Sequence, residues 1–195
     1  MDTLPALAAF AFATSVTPGP NVIMVAASAA NHGVRATLPH MAGITIGFPV
    51  MIVLVGLGLA GPFAANPDLH TALKWIGAAW IVWLAWKIAR AGAPGEGARR
   101  PPLGFLGAAA FQWVNPKAWL LALAAIPAFT RPGGDLVTET LVIAAVFLLV
   151  SPPSVGFWAV VGAGAGRILR SPAQLRAFNV TMAILLVLSL VPALV

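Results

Sequence analysis

Cysteine is absent from this sequence, which excludes disulfides, thiol redox chemistry and thiolate metal sites. Charge is nearly absent too: 8% of residues are Asp, Glu, Lys or Arg against 60% hydrophobic, and the mean hydropathy is +0.94. A water-soluble domain carries about 25% charged residues. A chain this poor in charge could not cover its own surface in water, so the composition points to an integral membrane protein. Catalytic signatures are missing as well. There is no G-x-S-x-G, no H-E-x-x-H and no paired carboxylate, so an enzyme is not expected. His32, His40 and His70 have no metal-ligand spacing and are expected at the membrane interfaces. No cofactor or metal is called for. No Lys or Arg precedes the first apolar run, "MDTLPALAAF", so that segment is expected to be retained rather than removed as a signal peptide.

What is present is a series of long apolar runs. A spanning helix needs about 20 mostly apolar residues. Charges and turn residues divide the chain into six such runs, 4–29, 38–61, 71–90, 104–129, 138–162 and 177–194. The fold class expected is therefore all-α, with six transmembrane helices and both termini on one side. The loops after the first, third and fifth runs, with adjoining helix ends, hold Arg35, Lys87, Arg90, Arg99, Arg100, Arg167, Arg170 and Arg176. The other face holds only Lys74 and Arg131, together with Asp2, Asp68, Asp135 and Glu139. Basic loops stay in the cytoplasm, which places both termini outside. The net charge of +6 is thus an orientation signal, not a nucleic-acid footprint. In the third run, Lys74 and Lys87 frame Trp75, Trp80, Trp83 and Trp86, as residues anchored at membrane interfaces do.

The stretch "RAGAPGEGARRPP" (Arg90–Pro102) is the one plausible linker. It divides the chain into a first repeat at 1–91, a cytoplasmic linker at 92–103 and a second repeat at 104–195. Three spans per half make the second half enter the membrane from the opposite side, the condition for an inverted repeat. Matched features support it. Pro18 and Pro116 each interrupt the first span of their half, and Gly47-Phe48 is echoed by Gly156-Phe157. Pro18 stands 56 residues before Lys74, and Pro116 stands 60 before Arg176.

The breaks are the informative places. Thr17-Pro18-Gly19-Pro20-Asn21 puts two prolines and a glycine into the middle of a span. Each proline removes a donor, and an unpaired carbonyl in lipid costs several kcal/mol, so such a break survives only where protein, water or ligand satisfies it. It is expected to be an unwound hinge facing the interior, with half-helix ends offering carbonyls to a cation and N–H groups to an anion. Its counterpart is Asn115-Pro116-Lys117 in "FQWVNPKAW". A lysine at mid-bilayer costs roughly 2.5–3.5 kcal/mol on insertion scales. All five acids (Asp2, Asp68, Glu96, Asp135 and Glu139) fall in loops or at helix ends, so no carboxylate in any span can pair with Lys117. That ammonium is a candidate ligand for an anionic substrate group. Blander roles remain open: Pro18 as a packing kink, Asn115 as a partner for carbonyls freed by Pro116, Lys117 as a snorkelling residue. Gly43 and Gly47 form a G-x-x-x-G, read as a close helix contact, and "VVGAGAGR" (Val160–Arg167) reads as a helix end.

Together these motifs resemble the LysE/RhtB family of amino-acid exporters. "TPGPN", "HGVRATLPHMAGITIGF" (His32–Phe48), "GAAWIVWLAWKIARA" (Gly77–Ala91) and "NPKAW" carry the resemblance. The third span and the "HGVR" loop look most like the branch that exports cysteine and O-acetylserine. The resemblance implies proton-driven efflux across the bacterial inner membrane. Expected partners are an amino-acid substrate, protons as coupling ion and the lipid bilayer, with a homodimer as the candidate assembly and no nucleic acid. An amino acid is a zwitterion. Its carboxylate would meet Lys117 and half-helix N–H groups, and its ammonium the carbonyls of Thr17, Pro18, Gly19 and Pro20. Asn21 and Asn115 would bond either end, Pro116 holding the second break open. By elimination Lys117 is also the candidate for the coupling proton. Two rival classes are a channel for small polar solutes, which would want a continuous polar pore, and a membrane scaffold without transport, which would have no use for broken helices.

Overall fold

The computed structural model describes residues 3–59, 67–91, 101–169 and 171–191; for Leu59, Pro67, Leu69, His70 and Leu73 it describes the backbone alone. Linker residues 92–100 lie outside these, as do Asp2, Arg170 and the outer ends of the second and sixth runs. Among the described residues all regular structure is helical. The helices are α1 (Leu4–Val16), α2 (Pro20–His32), α3 (Val34–Leu54), α4 (Pro67–Arg90), α5 (Phe105–Phe111), α6 (Pro116–Phe129), α7 (Leu136–Ile168) and α8 (Pro172–Leu188). A π turn, Val55–Leu59, extends α3, and a 3-10 turn, Gln112–Val114, follows α5.

Helix starts follow from local chemistry. Pro20, Pro116 and Pro172 each open a helix, where a missing N–H costs nothing. Asn115, Asp135 and Ser171 accept hydrogen bonds as N-caps, Ser171 in a capping box with Gln174. A bond from the Thr138 hydroxyl, with backbone N–H groups, holds the Asp135 carboxyl below its usual range. Gly33, at φ 81°, lets the chain turn directly from α2 into α3.

By length and apolarity, 34–58 and α7 suffice to cross a bilayer, and α1 with α2, bent by 50°, passes the same test when the pair is taken as one broken helix. Segments 105–114, α6 and α8 are shorter apolar helices. The expected start at 38 moves back to Val34, because Arg35 lies in the first turn of α3 rather than in a loop. The expected end at 162 moves to Ile168: α7 runs 33 residues, about 50 Å, through Pro152 and Pro153. "VVGAGAGR" is indeed a helix end, the last turns of α7.

Close backbone approaches fix the helix directions. A Cβ at Gly162 or Gly166 of α7 would strike the backbone of Ala26 or Ala30 of α2, so these two helices run parallel. Gly43 meets Phe105 and Ala108, and Gly47 meets Ala109, so α3 and α5 also run parallel and the G-x-x-x-G is the close contact expected of it. Helices α3 and α7 are antiparallel: Phe48 meets Phe147 edge-on at 5.1 Å, and Gly56 abuts Thr140. Helices α4 and α8 are antiparallel too. Asn179 donates to Ala91 O at 2.8 Å, while Trp75 and Ala78 share a groove with Leu190 and Val191.

One end of the molecule is tied by amides. Asn31 and Asn179, both buried, exchange hydrogen bonds of 2.7 and 3.0 Å. Arg35, Arg90, Arg167 and Arg176 fall at the helix ends on this side of the molecule. The far end carries Asp135 and the Arg131–Glu139 ion pair at 2.7 Å. The sign asymmetry of the sequence is therefore an asymmetry between two ends of the bundle. Trp75, Trp80, Trp83 and Trp86 are exposed along α4, with Lys87 3.6 Å from the Trp83 ring and Arg90 4.4 Å from that of Trp86. His40 corrects the interfacial reading of the histidines. It is 1% exposed, because residue 40 shares the inner face of α3 with Gly43, Ile44 and Gly47.

Candidate functional site: the facing helix breaks

The two breaks face each other. Between them is a cavity of about 50 Å³, space for a few waters at roughly 10–15 Å³ each. Thr17, Gly19 and Asn21 line it from the first break, and Asn115 and Lys117 from the second. Thr14, Ile44, Phe48 and Ser151 are also part of the wall.

Each carbonyl left without its usual helical donor at a break needs another. Pro20 cannot donate to Val16 O, and the indole N–H of Trp158 does so at 3.0 Å. Thr17 O accepts from Lys117 Nζ at 2.8 Å. The lysine absent a carboxylate thus has a partner after all, a carbonyl exposed by the other break. Its stem lies over Gly19, where a Cβ would come within 2.7 Å of Lys117 Cδ. At the second break Trp113 O accepts from the Trp119 indole at 2.8 Å. Asn115 is 1% exposed, and its Oδ1 accepts from Lys117 N at 3.2 Å. Through that oxygen it caps α6. Replacing Asn115 by alanine should lower stability by about 0.5–2 kcal/mol. Thermal unfolding in detergent measures this, and an unchanged midpoint would exclude the capping role.

Asn21 does not stand alone either. It exchanges hydrogen bonds with Gln112 at 2.9 and 3.1 Å, joining the start of α2 to the turn before the second break. Gln112 is fully buried and also donates to Ala108 O at 2.9 Å. The hinge is not wholly interior: Thr17 and Pro18 are exposed while Gly19 and Pro20 are buried. All eight residues expected at the site lie at the two breaks, and five of them, Thr17, Gly19, Asn21, Asn115 and Lys117, border the cavity. Gln112, Trp158, Trp119 and Ser151 belong with them. Gln112 and Trp119 stand within the quoted "FQWVNPKAW", so a polar or N–H-bearing side chain beside a helix break was the signal available. Trp158 and Ser151 come from α7 and had no local signal.

A bundle of apolar helices with a polar chamber between two broken ones defines a membrane translocator, not an enzyme. The profile of the LysE type translocator family matches residues 12–191, and the chain belongs to that family. Relatives include the "Cysteine/O-acetylserine efflux protein" of Salmonella choleraesuis and that of Salmonella typhimurium, each 34% identical over 94% of this chain and 93% of its own length. The protein of the same name from Escherichia coli (strain K12) is 32% identical over the same shares. No solved structure matches.

Proposed function

We propose that this protein exports a small amino acid or amino-acid derivative of the cysteine or O-acetylserine kind across the bacterial inner membrane, by proton antiport. Six spans in two inverted three-helix repeats would carry it, with both termini periplasmic. The relatives' names support the substrate class, and the helix directions support the topology: successive runs alternate in direction, and the basic residues gather at one end.

The observation that carries the reading is the Lys117 Nζ to Thr17 O hydrogen bond, which spans the two breaks. A zwitterion inserted there exchanges one internal bond for two complementary ones. Its carboxylate takes the ammonium of Lys117, and its own ammonium takes the released Thr17 carbonyl. Asn21 and Gln112 lie beside it as a neutral amide pair able to reorient toward either end. Rocking of the two halves about this chamber would expose it to each side in turn.

Overexpression should raise tolerance to an inhibitory amino acid and increase its appearance in the medium, with cysteine, O-acetylserine, homoserine and threonine as the first panel. Enhanced uptake of the whole panel would contradict an exporter. Reporter fusions active only in the periplasm should be active at Val195 and silent at Gly97. The opposite pattern would overturn the orientation.

A further inference from the structure

We propose that His40 is the group that carries the coupling proton. This rests on the antiport reading above and moves the proton from Lys117, which the sequence favours by elimination, to a residue that the substrate site does not use. His40 lies on α3, one helical turn (about 5.4 Å) from Ile44 and two from Phe48, both of which line the chamber. It stands on the side toward the basic, amide-clamped end. Its ring is 1% exposed, and neither Nδ1 nor Nε2 has a hydrogen-bond partner. A neutral imidazole always presents one donor and one acceptor, and a buried polar atom left unpaired calls for an explanation. Ser151, at the chamber wall, and Ser154, one turn further along α7 in the same direction, are also buried with unpaired hydroxyls. Among the described residues the unpaired buried side-chain atoms thus lie at the chamber and toward the basic end, except Thr140 Oγ1 toward the other end, and water can enter at them when the helices part.

No fixed charge competes for the ring. Among the elements packed against α3, α2 carries His32, α7 carries Glu139 and Arg167, α6 carries Lys117 and α5 carries no titratable group, while Arg35 is on α3 itself. None of them bonds to the imidazole. An unpaired buried charge is costly, so the protonated ring must keep a water molecule as partner while the chamber is closed between its two openings. When the chamber opens outward, a proton from external water adds to a ring nitrogen. When it opens inward, the same N–H bond breaks and the proton passes to cytoplasmic water. One proton enters for each such cycle.

The test uses purified protein in proteoliposomes with radiolabelled O-acetylserine. Two modes are compared: exchange against internal O-acetylserine without a pH gradient, and transport driven by a pH gradient. His40→Gln should keep exchange within about twofold of wild type and lose gradient-driven accumulation. If wild type responds to the gradient and His40→Gln responds equally, the histidine role is overturned and antiport stands. If wild type does not respond, antiport and the histidine role fall together. Should His40→Gln not fold, the variant His32→Gln/His70→Gln, with His40 as its sole histidine, must retain gradient-driven transport. Loss of it there, with exchange intact, would overturn the assignment.

Discussion

Replacing Lys117 by methionine should lower export roughly ten- to a hundredfold while the protein still reaches the membrane. A charge-assisted hydrogen bond is worth about 1.5–3 kcal/mol, and that range converts to this loss of affinity. Methionine keeps the length and apolarity of the stem that lies over Gly19 and deletes only the ammonium that Thr17 O accepts. Removing a half-buried charge from an apolar bundle offsets part of the lost bond, so expression should hold. Arginine should restore export only in part. The guanidinium is larger and planar, and the space over Gly19 fits the narrow lysine stem. A snorkelling lysine would behave in reverse, with arginine replacing it well and methionine altering expression more than flux. Efflux normalised to membrane protein level separates these cases.

The second large effect is expected away from the chamber, where α7 meets α2. In lipid, helices associate through close packing more than through burial from water, so glycines at crossings matter. A Cβ added at Gly162 would lie 2.7 Å from both Cα and C of Ala26 and nearer still to its carbonyl oxygen. Backbone cannot rotate aside as a side chain can, so the helices must separate. Gly162→Ala should therefore destabilise by about 1–3 kcal/mol, the usual range for overpacking. Gly164 has nothing within 4 Å of the position a Cβ would take, so Gly164→Ala should match wild type in unfolding temperature and in export. Equal behaviour of the two variants would contradict the packing described here.

The sequence made the helices and the breaks legible for physical reasons. Apolar runs of span length admit few structures in lipid. Proline at 18, 20 and 116 has one local consequence wherever it falls in a helix. Where the freed carbonyls found their donors was not legible, because Trp158 reaches Val16 from 142 residues away and Lys117 reaches Thr17 from 100 away. Such pairings are decided by how helices pack, not by local pattern. The same is true of Gln112, whose partner Asn21 belongs to the other break, and of His40. The burial of that histidine follows from Gly43 and Gly47 drawing its face of α3 against α5. The G-x-x-x-G was visible in the sequence, but its consequence for residue 40 required knowing which helix it meets.

The most direct test of a substrate chamber between the two breaks exploits the absence of cysteine. Ser151→Cys places a single thiol on the chamber wall of a chain that has no other. In proteoliposomes it should react with a small water-soluble methanethiosulfonate as the chamber opens. O-acetylserine should slow that reaction, with half-protection at the concentration that half-saturates its export. A labelling rate indifferent to O-acetylserine, in a variant that still exports it, would place the substrate elsewhere and contradict the account.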